Sequence, residues 1–174
     1  GHRIEKEIST VDWSIDSAEK GGYEHFMMKE IMEQPIAIEN TIHPRIRDGK
    51  IVLDDIDLSK EELLGIDRIL ITACGSAYHV GMVAKYVLEL TRIPVEVDLA
   101  SELRYRNPII NEKTLTIVIS QSGETADTIA AMKEAKRLGS RTLSIVNVVG
   151  STIAKLSDDV LYTWAGPEIA VATT

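Results

Sequence analysis

From residue 68 onward, short apolar runs alternate with amphipathic stretches, and no other feature of this chain constrains its fold as tightly. "RILITAC" (68–74), "PVEVDLA" (94–100), "TLTIVIS" (114–120), "RTLSIVNV" (141–148) and "SDDVLYTW" (157–164) read as five strands. They are close to continuously apolar, as strands are when both faces of a parallel sheet are covered. Between them, "SAYHVGMVAKYVLEL" (76–90) places Val80, Val83, Ala84 and Val87 on one helical face. "ETADTIAAMKEAKRLG" (124–139) is a second helix, with basic residues in its last turns and a stop at Gly139. Strands alternating with helices imply right-handed crossovers. The expectation is an α/β domain in three layers, a five-stranded, mostly parallel sheet flanked by helices on both faces.

The chain has 174 residues, which suits one domain able to bury roughly 70% of its unfolded surface. Residues 1–22 are polar, contain Gly21-Gly22 and lack a period, so they read as a lead-in or linker ahead of a domain over 23–174. Gly1-His2 in place of an initiator Met suggests a processed start or an excised piece. Tyr23, Phe26, Met27 and Ile31 share a helical face, giving a helix over 23–34 that Pro35 is expected to stop. Met27, Met28 and Met32 read as adaptable core filler. Further on, Asp48-Gly49 marks a turn, and Ser59 with Glu62 has the spacing of a capping box on a small helix.

Charge and cysteine usage exclude several functions. Lys plus Arg is 19 and Asp plus Glu is 27, a net charge of −8. That balance argues against nucleic acid and against docking on an anionic membrane. A single cysteine, Cys74, excludes an internal disulfide and a multi-cysteine metal site, and fits a cytoplasmic location. There is no P-loop, no GxGxxG spacing and no HExxH. The four histidines (His2, His25, His43, His79) have no helical ligand spacing. Neither a metal nor a cofactor is expected.

Ligands of open parallel sheets bind beyond the C-terminal ends of the strands, so the residues just after each strand matter most. After the third strand comes Ser120-Gln121-Ser122-Gly123-Glu124-Thr125. Gly123 permits a tight bend. The helix that follows presents unpaired amides and the positive end of its dipole, a ready anion site. Ser120, Ser122 and Thr125 add hydroxyl donors and Gln121 an amide. With no Lys or Arg in the cradle, it suits one phosphate monoester better than a nucleoside triphosphate. An ordinary helix cap is the bland alternative. Cys74 reads as a packed thiol and His79 as a structural polar contact. Glu102, Arg104, Tyr105 and Arg106 read as a solvated face, with an intersubunit ion cluster as the sharper possibility. Glu168 lies either on the Ser120 rim or at a helix start.

"SQSGETADT" (120–128), "ACGSAYHVG" (73–81), "SELRYR" (101–106), "GPEIAVATT" (166–174) and "EIMEQPIAIENTI" (30–42) together resemble the glucosamine-6-phosphate synthases. These are also called glutamine–fructose-6-phosphate aminotransferases. The resemblance is to the first of two sugar-isomerase (SIS) domains in the isomerase half of that family, and runs from about Asp16 to Thr174. It implies a flavodoxin-like fold. It implies that Ser120, Gln121, Ser122 and Thr125, helped by Ser76, hold the phosphate of fructose 6-phosphate or glucosamine 6-phosphate. Ala77 stands where other members offer a hydroxyl. The resemblance also implies a homodimer through SIS domains, and a parent enzyme that makes glucosamine 6-phosphate and glutamate from fructose 6-phosphate and glutamine. The parent's glutaminase and second SIS domains have no counterpart here, so no catalytic residue is assigned and the chain alone is expected to be inactive. A lone phosphosugar-sensing module is the principal alternative. A nucleotide-binding response domain is a weaker one, since its acidic cluster for magnesium is missing.

Overall fold

The computed structural model describes residues 19–53 and 55–170. Most of the lead-in assigned to 1–22 therefore falls outside the described residues. The sheet has five parallel strands: β1 (Arg68–Ala73), β2 (Val95–Leu99), β3 (Thr114–Ser120), β4 (Arg141–Val146) and β5 (Asp159–Tyr162). Their spatial order is β2-β1-β3-β4-β5, the flavodoxin-like arrangement. The strand expectation holds at all five places, with ends one or two residues shorter at several.

Alternation along the strands divides the core in two. Ile69, Ile71, Ala73, Leu115, Ile117, Ile119 and Leu143 form one cluster. It packs against Ala77, Tyr78, Ala84 and Leu88 of helix α3 (Gly75–Leu88). Leu70 packs on the other face with Ala100 and Leu103 of α4 (Ala100–Leu103) and Ala131 of α5 (Ala126–Arg137). Val118, Met132, Val146 and Ile153 complete that face, Ile153 coming from α6 (Thr152–Leu156). Gly81 lets α3 lie close to the sheet: a Cβ there would sit 2.9 Å from Ile71 Cγ2 and 3.1 Å from Val97 Cγ1. The small helix α2 (Lys60–Gly65) is closed by the predicted capping box, with Ser59 Oγ accepting from Glu62 N and Glu62 Oε2 from Ser59 N.

Several expectations are corrected. Helix α1 runs from Phe26 to Ile42 with Pro35 inside it, so proline does not end it. Only the amide of Pro35 itself is lost, and the last turn of the helix and the residues just after it are tied to the end of β5. Thr41 Oγ1 donates to Thr163 O, and Arg45 Nη2 donates to Tyr162 O at 2.7 Å. Met27, Met28 and Met32 are exposed rather than core. The predicted apolar face of α3 is also wrong. Ala84 packs inward, but Val80, Val83 and Val87 are exposed, because Gly81 and the small residues, not the valines, fit the close approach to the sheet. Helices α4 and α6 have no counterpart in the sequence reading; at four and five residues they are too short to show a period.

Candidate functional site

The strand order reverses between β1 and β3, and the helices that follow these two strands pack on opposite faces of the sheet. A crevice must open there, beyond the C-terminal strand ends. The structure has a cavity of about 570 Å³ at this place, lined by Ser76, Ser120, Gln121, Ser122 and Thr125. All five residues singled out in the sequence are thus brought to one cavity. Glu168 lines the same rim, and Cys74 and Ala77 are also in the wall. His79 is exposed and makes an edge contact with Tyr78, ring centroids 5.7 Å apart; it does not line the cavity. Cys74 is half-buried and packs on the Leu70 cluster.

Two helix N-termini meet at this crevice. The N-caps of α3 and α5 are Cys74 and Thr125, and neither side chain caps its helix. The capping explanation for the hydroxyl cluster therefore fails at Thr125. The first amides of both helices lack side-chain acceptors, and both dipoles favour an anion at the crevice. α5 begins at Ala126, one to two residues later than expected.

The hydroxyls of the loop accept from its own backbone. Ser120 Oγ accepts from Gly123 N at 3.1 Å, and Ser122 Oγ from Glu124 N at 3.2 Å. Ser120 Oγ and Thr125 Oγ1 lie 3.3 Å apart. A hydroxyl that accepts from an amide keeps its own O–H to give, so these contacts shape the loop without exhausting its donors. Among the described residues, no Lys or Arg lines the cavity.

The loop is braced from behind by α6. Ile153 N donates to Gly123 O at 3.0 Å. Glu124 turns away from the crevice and Oε1 accepts from Thr152 N at 2.7 Å. That amide holds the Glu124 carboxyl below the usual carboxylate range, and Lys155 adds to the effect. The only acid in the loop is thereby kept off the anion side.

The opposite wall was not legible in the sequence. Glu30, Glu33, Gln34 and Ala37 of α1 line it, with Asn147, Thr163, Ala165 and Gly166. Glu30 Oε1 accepts from Ile169 N and Ala170 N at 2.8 and 2.9 Å, pinning the segment that follows β5. A half-buried acid on a helix carries no signal of such a distant contact. The Glu102–Arg106 patch lies elsewhere: Arg106 pairs with Glu96 at 3.0 Å and with Asp98. Among the described residues, no group of three or more His, Cys, Asp or Glu is placed to hold a metal ion. No described helix is long and apolar enough to cross a membrane.

Fold and cavity together define a doubly wound α/β domain with its pocket at the topological switch point. The chain belongs to the SIS domain family, whose sequence model matches residues 62–174. It is 65% identical, over 100% of its length, to glutamine–fructose-6-phosphate aminotransferase (isomerizing) of Caldanaerobacter subterraneus subsp. tengcongensis. It is 61% identical to the protein of the same description from Clostridium acetobutylicum. It covers 29% of each of these relatives. Among solved structures, the C-terminal domain of glucosamine-fructose-6-phosphate aminotransferase from Francisella tularensis superimposes with a TM-score of 0.84 at 43% identity. That match covers 90% of this chain and 44% of the other.

Proposed function

We propose that this chain grips the phosphate of fructose 6-phosphate or glucosamine 6-phosphate through Ser76, Ser120, Gln121, Ser122 and Thr125. The observation that carries this reading is the convergence of two uncapped helix N-termini and a hydroxyl-rich loop on one cavity without basic residues. Directed donors hold a single phosphate there, and the acids and amides of the far wall suit sugar hydroxyls. The volume is that of an ordinary small-molecule site.

In this reading the domain over 23–174 is the first of two SIS domains in an aminotransferase/isomerase. The parent makes glucosamine 6-phosphate and glutamate from fructose 6-phosphate and glutamine. The relatives' names support the parent activity, and the 44% coverage of the Francisella domain leaves room for a second unit of similar size. Turnover requires that second unit and a glutaminase. The chain pairs as a homodimer, for which the exposed apolar face of α3 is available, and works in the cytoplasm.

Calorimetry with fructose 6-phosphate, unphosphorylated fructose and ATP tests the site. Selective binding of the first is expected, and equal binding of all three, or of none, refutes it. An isomerisation assay of the chain with added ammonia should give no sustained product; turnover would overturn the division of labour.

A further inference from the structure

We propose that Asn147 is the positioning residue of this pocket, fastening the sugar-facing wall to the phosphate loop. The inference rests on the sugar-phosphate reading above.

Asn147 follows β4, lines the cavity and is 6% exposed. Its backbone N–H donates to Gln121 O in the phosphate loop at 3.0 Å. Its side chain reaches the other way. Oδ1 accepts from Thr163 Oγ1 at 3.0 Å and from Ala165 N at 2.9 Å, and Nδ2 donates to Gly166 O at 2.6 Å. A backbone amide can only donate and a carbonyl can only accept, so this pattern fixes which way the side-chain amide points. It also demands an amide. Leu supplies neither function, and Asp lacks the donor for Gly166.

The segment it holds is one that needs holding. After β5 the chain has no regular structure over 163–169, and Trp164 adopts φ +49° with Gly166 at φ +81°. A bulky residue in the left-handed region is strained and persists only when its surroundings over-determine it. Here the residues on both sides of Trp164 bond to one side chain. Thr163, Ala165 and Gly166 all line the cavity, so Asn147 sets the distance between the phosphate loop and the wall that faces the rest of the ligand.

The consequence is separable from phosphate binding. Removing the Asn147 side chain loosens 163–166 but leaves the amides and hydroxyls of 120–125 in place. Titration calorimetry of this chain with fructose 6-phosphate and with inorganic phosphate reads both halves. Asn147→Ala is expected to weaken fructose 6-phosphate about three- to ten-fold while inorganic phosphate changes less than about two-fold. Thr163→Val, a milder change at a half-buried site, should weaken the sugar phosphate in the same sense. Thr163→Ser, which keeps the hydroxyl, should restore it. Parallel loss of both ligands, no loss of either, or failure of Thr163→Ser to rescue would overturn the role of Asn147 alone. No fructose 6-phosphate binding by the unaltered chain would overturn the site reading and this role with it.

Discussion

At Gly123 the backbone has φ +67°, and a methyl group there would lie 2.1 Å from Ser151 Oγ and 2.5 Å from Ser151 Cβ. Conformation and space both exclude a side chain, so the loop over 120–125 keeps its shape only with glycine. Gly123→Ala should cost about 1–3 kcal/mol of stability, read as a fall in the denaturation midpoint, and should weaken fructose 6-phosphate as the loop shifts. The hydroxyls act differently. Ser122 is half-buried and Thr125 sits at the α5 N-cap without capping it, so their removal threatens binding more than folding. The double variant Ser122→Ala with Thr125→Ala should lose about 1.5–3 kcal/mol or more of binding free energy for the phosphorylated sugar, with little change in melting temperature. Unchanged affinity would remove these side chains from the site. "SQSG" between a strand and a helix was legible because the residue types themselves are donors. Asn147 was not, because an asparagine after a strand announces nothing until its three partners, 16 to 19 positions later, fold back on it.

Helix α1 carries Pro35 in its interior, at a usual cost of about 3 kcal/mol. Pro35→Ala should return a backbone donor and raise the melting temperature, measured by circular dichroism; a fall would mean that proline shapes a bend the fold requires. Strands β4 and β5 are joined by a charged pair. Asp159 is buried and accepts from Arg141 Nε at 2.7 Å and from Asp57 N at 2.8 Å. Burial opposes its ionisation, but Arg141 and the Asp57 amide outweigh burial and hold the carboxyl below its ordinary range. A lowered folded-state value means that the stabilisation is complete above the unfolded value near ~4 and is lost as pH falls below it. Arg141→Gln leaves a buried carboxylate with less support. The expected loss is about 2–3 kcal/mol, less than for a fully buried pair because Arg141 is partly exposed. Burial then raises the Asp159 value, so acid unfolding should begin at a higher pH than in the unaltered chain. An unshifted acid midpoint would show that the pair contributes little.

At the scale of the whole molecule, helices α1 and α3 both present apolar surface to solvent. On α3, Val83 and Tyr86 are 65% and 70% exposed, and Met28, Met32 and Ile36 are exposed on α1. Isolated exposed apolar residues are ordinary, but a run of them on one helix is where the homodimer proposed above would be sought. Val83→Glu should shift sedimentation from dimer to monomer without changing the melting temperature, and a dimer that persists would place the interface elsewhere. This surface also explains why the sequence misplaced the α3 core face. Apolar periodicity counts residues that avoid water, and it cannot tell those buried inside the domain from those reserved for a neighbour. The alternation of strands and helices, the parallel sheet and the donor-rich loop were fixed by local sequence, since strand propensity, helix period and turn chemistry act over a few residues. Tertiary structure alone decided that α1 passes Pro35 and that Glu30 and Asn147 build the far wall. Those contacts join positions far apart in the chain, and the free energy that selects them comes from packing the whole sheet at once.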